Sequence, residues 1–114
     1  CKPSRAWPGK ATLSKGPVAT CNINNTLLND DGNTASGCDG GNSYTCSSNQ
    51  PWSVNSTLSY GFAAVALSGT TESDTCCACY ELTFTSTAVS GKKMIVQATN
   101  TGSDVSGDQF DLLI

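Results

Sequence analysis

Regular alternation of apolar and polar residues is confined to the second half of the chain. Tyr80 to Thr87, YELTFTST, sends Tyr80, Leu82 and Phe84 to one side and Glu81, Thr83 and Thr85 to the other, the period-two mark of a half-buried strand. Ser90-Gly91-Lys92 supplies a turn, and Lys93 to Thr99, KMIVQAT, reads as a second strand after a hairpin-like gap. Asn100 to Gly107, NTGSDVSG, has loop composition, and Gln109 to Ile114 opens a third strand. Leu58 to Leu67, LSYGFAAVAL, is apolar throughout, so its period does not separate a short helix from a buried strand. Residues 1 to 57 carry little periodicity and many punctuators: Pro3, Pro8, Pro17, the Asp30-Asp31-Gly32 turn, the Gly37 to Gly41 cluster and Pro51. The pattern predicts a mainly β barrel or sandwich with a disulfide-rich first half wrapped around it.

At 114 residues the chain is one small domain, of a size that often needs covalent help beyond its core. Seven cysteines and no histidine suggest disulfides formed in an oxidising compartment, hence a secreted protein. Asn24-Asn25-Thr26 and Asn55-Ser56-Thr57 fit a glycosylated surface, although such sequons arise easily by chance. A net charge of −3 offers no basic stripe for nucleic acid, and no apolar run is long enough to span a bilayer. The chain opens on Cys1 and closes on the apolar Leu112-Leu113-Ile114, so it reads as an internal piece cut at both ends. The odd cysteine count fits: at least one thiol is free, pairs with another molecule, or pairs outside this window.

Four groups of residues could carry chemistry. Cys76-Cys77-Ala78-Cys79 contains a C-x-x-C spacing, but a structural zinc site wants four ligands, and neither histidine nor a second such pair exists. A strand follows where a redox motif would open a helix, so the cysteines are expected to be structural, with no metal or cofactor. Asp104 sits in the Gly/Ser loop, and Asp111 lies between Phe110 and three large aliphatics. A carboxylate that close to an apolar run is expected to lose solvent, which favours its protonated form and suits a general acid. A turn aspartate and a strand-edge aspartate, both solvated, are the plainer alternative. Trp7, Trp52, Tyr44 and Tyr60 could stack on sugar rings or pack a core; Trp52, in Gln50-Pro51-Trp52, reads as a core anchor, and Trp7 as the better candidate for exposure. Lys92-Lys93 is most simply a solvated turn.

Several strings taken together resemble one family. Cys1-Lys2-Pro3-Ser4, Trp7-Pro8-Gly9-Lys10, Ser36-Gly37-Cys38, Tyr44-Thr45-Cys46, Gln50-Pro51-Trp52, Tyr60-Gly61-Phe62-Ala63-Ala64, Cys76 to Phe84 (CCACYELTF), Gly91-Lys92-Lys93-Met94 and Gln109-Phe110-Asp111 occur in this order. The chain closely resembles the family-45 glycoside hydrolases, small secreted fungal-type endoglucanases, with residues 1–114 matching roughly the first half of the catalytic domain. The resemblance implies a six-stranded double-psi β-barrel of barwin/expansin type, incomplete here. It also implies an inverting endo-1,4-β-glucanase acting on cellulose and other β-1,4-glucans, monomeric, with no nucleic-acid or membrane partner.

The same resemblance assigns roles. Asp111 matches the general acid, Asp104 a supporting carboxylate in a mobile loop that closes over substrate, and Trp7 a tryptophan of the glucose-binding groove. The catalytic base belongs to a Thr-Arg-Tyr-Trp-Asp-Cys-Cys string directly ahead of the residue matching Cys1, and that string is not in this chain. Residues 1–114 alone are therefore expected not to hydrolyse cellulose. The family pattern pairs Cys1 with Cys38 and Cys21 with Cys46, and gives Cys77 and Cys79 partners outside these residues. It pairs Cys76 with a cysteine at the position of Arg5, where this sequence departs. The rival readings are a non-hydrolytic wall protein of expansin or barwin type and, with no carbohydrate role, a disulfide-rich secreted inhibitor or toxin.

Overall fold

The computed structural model describes residues 1–10, 13–101 and 107–114. Five strands form one sheet: β1 (Trp52–Ser53), β2 (Leu58–Ala66), β3 (Cys79–Thr83), β4 (Lys93–Asn100) and β5 (Gln109–Leu112), with a single helical turn, α1 (Glu72–Thr75), between β2 and β3. The ambiguous apolar run is thus a strand, and its pairing explains why periodicity could not identify it. β2 pairs in parallel with β4 along one edge; β1 and β5 lie antiparallel along the other, at Ser59–Tyr60 and Ala63–Ala66 respectively. A strand flanked on both edges and apolar on both faces shows no alternation for a sequence reader to find.

The core lies on one face of this sheet. Ala63 and Val65 of β2 meet Met94, Val96 and Ala98 of β4, all almost fully buried, and Leu67, Tyr80, Leu82, Phe84, Phe110 and Leu112 close around them. Gly61 admits this packing because a Cβ there would collide with the Met94 methyl. β3 runs antiparallel to β4, with Leu82 opposite Met94 and Tyr80 opposite Val96, so the predicted alternation buries the expected set. The strand ends at Thr83; Gly91, at φ +82°, turns the hairpin and donates its N–H to the Phe84 carbonyl.

The opposite face carries Tyr60 and Phe62. Trp52 packs edge-on against Tyr60, with ring centroids 5.9 Å apart, and tilted against Phe62 at 6.1 Å. It is 46% exposed, so the expectation of a core anchor is corrected: a two-residue edge strand places it outside the buried layer.

Residues 1–50 contribute short 3-10 turns (Ser4–Ala6, Gly37–Asp39, Ser47–Asn49) and isolated bridges rather than strands. Disulfides join Cys1 to Cys38 and Cys21 to Cys46. Polar contacts fill much of the interior here, including Ser43 Oγ donating to Thr20 Oγ1 at 2.8 Å. The sheet is open, with β3 at one edge. Among the described residues, no helix is long and apolar enough to cross a membrane.

Candidate functional site

Trp7 leaves the N-terminal turn immediately after Ala6, with its N–H donated to the Ser4 carbonyl, and is half-buried. With Pro8, Gly9, Leu13, Gly16, Pro17 and Asp31 it walls an open, largely apolar groove of about 430 Å³. An aromatic plane beside a carboxylate in such a groove can stack on a sugar ring and accept a hydrogen bond from a hydroxyl. Trp52, Tyr44 and Tyr60 take no part in this groove.

A buried cation sits against the indole. Lys2 Nζ lies 3.6 Å from the centroid of the Trp7 ring system and donates to the Gly32 carbonyl at 2.6 Å and the Thr34 carbonyl at 2.7 Å. Those carbonyls are presented by a turn that Asp30 organises, its carboxylate accepting the N–H groups of Gly32 and Thr34. Hydrogen bonds from Thr34 hold the Asp30 carboxyl below the usual carboxylate range. Burial pushes the Lys2 ammonium down, and the charge of Asp30 partly offsets this. Gly32 is obligatory: it has φ +79°, and a Cβ would strike the carbonyl of Ala6, so the turn packs directly on the segment that carries Trp7. The sequence reading missed Lys2, because nothing in Cys-Lys-Pro distinguishes a buried lysine from a solvated one.

Asp111 is held in β5 directly opposite Ala64. Phe110 and Leu112 point toward the core, Phe110 stacking edge-on against Tyr80 with centroids 5.3 Å apart, which leaves Asp111 on the other face. The side chain is exposed, so the desolvation expected from its apolar neighbours is absent; strand alternation separates it from them. The start of β5 is fixed by Asp108, whose carboxylate accepts the Ser68 N–H at 2.7 Å. Asp104 lies outside the described residues. Asp111 does not wall the Trp7 groove.

A second buried cation joins the two halves. The Arg5 side chain is fully buried; its Nη2 donates to Thr75 Oγ1 and Thr101 Oγ1, each at 3.0 Å, and its Nη1 lies 2.5 Å from Glu72 Oε1. Among the described residues Arg5 Nε has no acceptor, and Nη1 has none beyond its ion pair with Glu72. Ser4 reinforces the junction, its N–H donating to Asn100 Oδ1 and its Oγ accepting the Thr101 N–H. Burial lowers the pKa of Arg5, opposed by the neighbouring Cys76 and Cys77. Those thiols lie 3.6 Å apart and, like that of Cys79, are unbridged. Burial, reinforced by Cys76, pushes the Cys77 thiol up to about 11. Cys77 is also pinned to β4, donating its N–H to the Ala98 carbonyl and accepting at its own carbonyl from Gln97 Nε2.

A parallel β pair with antiparallel strands added around it makes an open, mostly β sheet, as an incomplete double-psi β-barrel would. The chain belongs to glycosyl hydrolase family 45, whose match spans residues 1–114. It is 59% identical over 115 residues to an endoglucanase of Cryptopygus antarcticus, covering 100% of this chain and 49% of that protein. It is 50% identical over 115 residues to a putative endoglucanase type K of Fusarium oxysporum, covering 100% of this chain and 30% of that one. The crystal structure of a cellulase from the Antarctic springtail Cryptopygus antarcticus superposes with a TM-score of 0.88 at 57% identity, over 100% of this chain and 53% of that one. The chain thus spans about half the length, or less, of these relatives.

Proposed function

We propose that residues 1–114 are part of the catalytic domain of a secreted endo-β-1,4-glucanase that cleaves internal bonds of cellulose with inversion. The observation that carries this reading is the family match along every residue, joined to an exposed Asp111 on a strand locked to β2. Asp111 protonates the departing glycosidic oxygen. A second carboxylate, about 6.5–9.5 Å away in inverting enzymes, takes a proton from the water that attacks the opposite face of the sugar. The family places that base ahead of the residue matching Cys1, so residues 1–114 by themselves do not cleave β-glucan. Asp104 supports the acid, and Trp7 seats a glucose ring. The two disulfides support secretion. The named relatives are endoglucanases, which favours hydrolysis over a non-hydrolytic wall protein.

In a protein that contains both carboxylates, Asp111→Asn abolishes turnover while cello-oligosaccharide binding persists, and Asp104→Asn lowers the rate with the fold unchanged. Proton NMR of the first products from the parent enzyme shows the α-anomer at the new reducing end. Near-normal turnover by Asp111→Asn removes it from the acid role, and an initial β-anomer refutes inversion.

A further inference from the structure

The geometry points to Lys2 as the positioning residue for Trp7, an internal prop that fixes the indole plane so that its outer face is ready for a sugar ring. This inference rests on the reading of Trp7 as a sugar platform. Lys2 is only 6% exposed, which is unusual for a lysine, and its neighbours account for all that its head group does. Two of its three N–H donors go to the Gly32 and Thr34 carbonyls, and the ammonium presses on the Trp7 ring. The main chain is pinned as well, Lys2 N–H donating to Ser36 Oγ at 3.2 Å while the adjacent Cys1 is bridged to Cys38. The prop therefore has a fixed base and a fixed head. The charged groups around it are Asp30, behind the carbonyls, and Asp31, on the groove wall.

The chemistry follows from which face is occupied. A cation attracted to one face of an indole occupies that face and favours the ring orientation that keeps the contact. Stacking of a glucose ring on the remaining face then needs no further ordering of Trp7, which is where affinity gained by pre-organisation comes from. Lys2 touches no substrate in this arrangement; it acts through Trp7.

The test uses residues 1–114 in a Trp52→Phe background, where Trp7 is the sole tryptophan of these residues. Lys2→Met keeps the buried stem and removes charge and donors. It is expected to red-shift Trp7 emission, raise its quenching by acrylamide, and weaken cellohexaose binding roughly three- to thirtyfold. Combined with Trp7→Ala, it costs no further affinity, because its effect runs through that ring. In an enzyme with both carboxylates the loss falls on KM, with kcat held within about twofold. Should Lys2→Met fail to fold, Lys2→Gln, which retains donors for the carbonyls but no charge, decides the same question. An unchanged Trp7 spectrum overturns the proposal, as does an equal loss of affinity with and without Trp7. If Trp7→Ala binds cellohexaose as the parent does, the platform reading fails instead, and the Trp7 spectrum still decides the role of Lys2.

Discussion

Replacing Arg5 by methionine tests whether a buried ionic junction holds the disulfide-bonded half to the sheet. Methionine keeps most of the stem's packing and deletes the guanidinium, leaving the Thr75 and Thr101 hydroxyls without their donor and the Glu72 carboxylate without its cation. Removing one partner of a buried ion pair typically costs about 3–5 kcal/mol. Two features lower that figure here. The Glu72 side chain is 31% exposed and recovers hydration, and deleting Arg5 also removes an Nε that has no acceptor among the described residues. The net expectation is a loss of about 1–3 kcal/mol, or roughly 4–12 °C in Tm for a domain of this size. Urea melts followed by far-UV circular dichroism supply the number. Hydrogen exchange supplies the location, since the Val18 N–H bonded to the Arg5 carbonyl exchanges faster if the turn loosens. A double-mutant cycle with Glu72→Gln isolates the pair. A variant as stable as the parent, with unchanged exchange at Val18, would show that desolvation of the guanidinium cancels its contacts and that the junction is held by Ser4 and apolar packing.

Two further predictions concern the thiols. Arg5→Cys restores the cysteine that the family pattern pairs with Cys76. Mass spectrometry should find that bridge and one titratable thiol fewer than in the parent, which has Cys76, Cys77 and Cys79 free, with stability above that of Arg5→Met by about 2–4 kcal/mol; a Cys76 that still alkylates refutes it. Cys77, raised from an ordinary 9.0 to about 11, holds its proton more tightly folded than unfolded. Its contribution to stability is therefore fully present below pH 9 and lost as pH rises toward 11. In residues 1–114 with Cys77 reduced, its thiolate fraction at pH 8 is lowered ~100-fold, so iodoacetamide should label it far more slowly than in urea, with a rate inflection near 11; an inflection at 9 contradicts the burial argument.

The parts of the fold legible in the sequence are those written locally. Tyr80 to Thr83, Lys93 to Asn100 and the Gly91 turn show alternation and turn chemistry within 21 residues, and they form the hairpin expected. β2 was illegible as a type because its two longer partners, Lys93 to Asn100 and Gln109 to Leu112, lie thirty or more positions away. Trp52 misled because an aromatic beside proline looks alike whether it packs on the buried or the open face of a sheet. Asp111 was legible as a position through the Gln-Phe-Asp string but not as an environment, since only the pairing register tells which face a side chain takes. Lys2 and Arg5 were illegible altogether. Their burial depends on carbonyls and hydroxyls thirty to ninety-six positions distant, and no local pattern encodes that.

Both disulfides fall within residues 1–46, and among the described residues every strand falls within residues 52–112. Within residues 1–114 the loops around Trp7 are thus riveted, whereas the sheet bearing Asp111 is woven from strand pairing and packing. The two pieces wear out differently. A reducing milieu attacks the riveted loops and spares the weave. Heat or denaturant attacks the weave first, while the rivets keep the loops closed. On the roles proposed above for Trp7 and Asp111, a glucose platform and a general acid then answer to different insults, one to the redox state of the surroundings and the other to temperature.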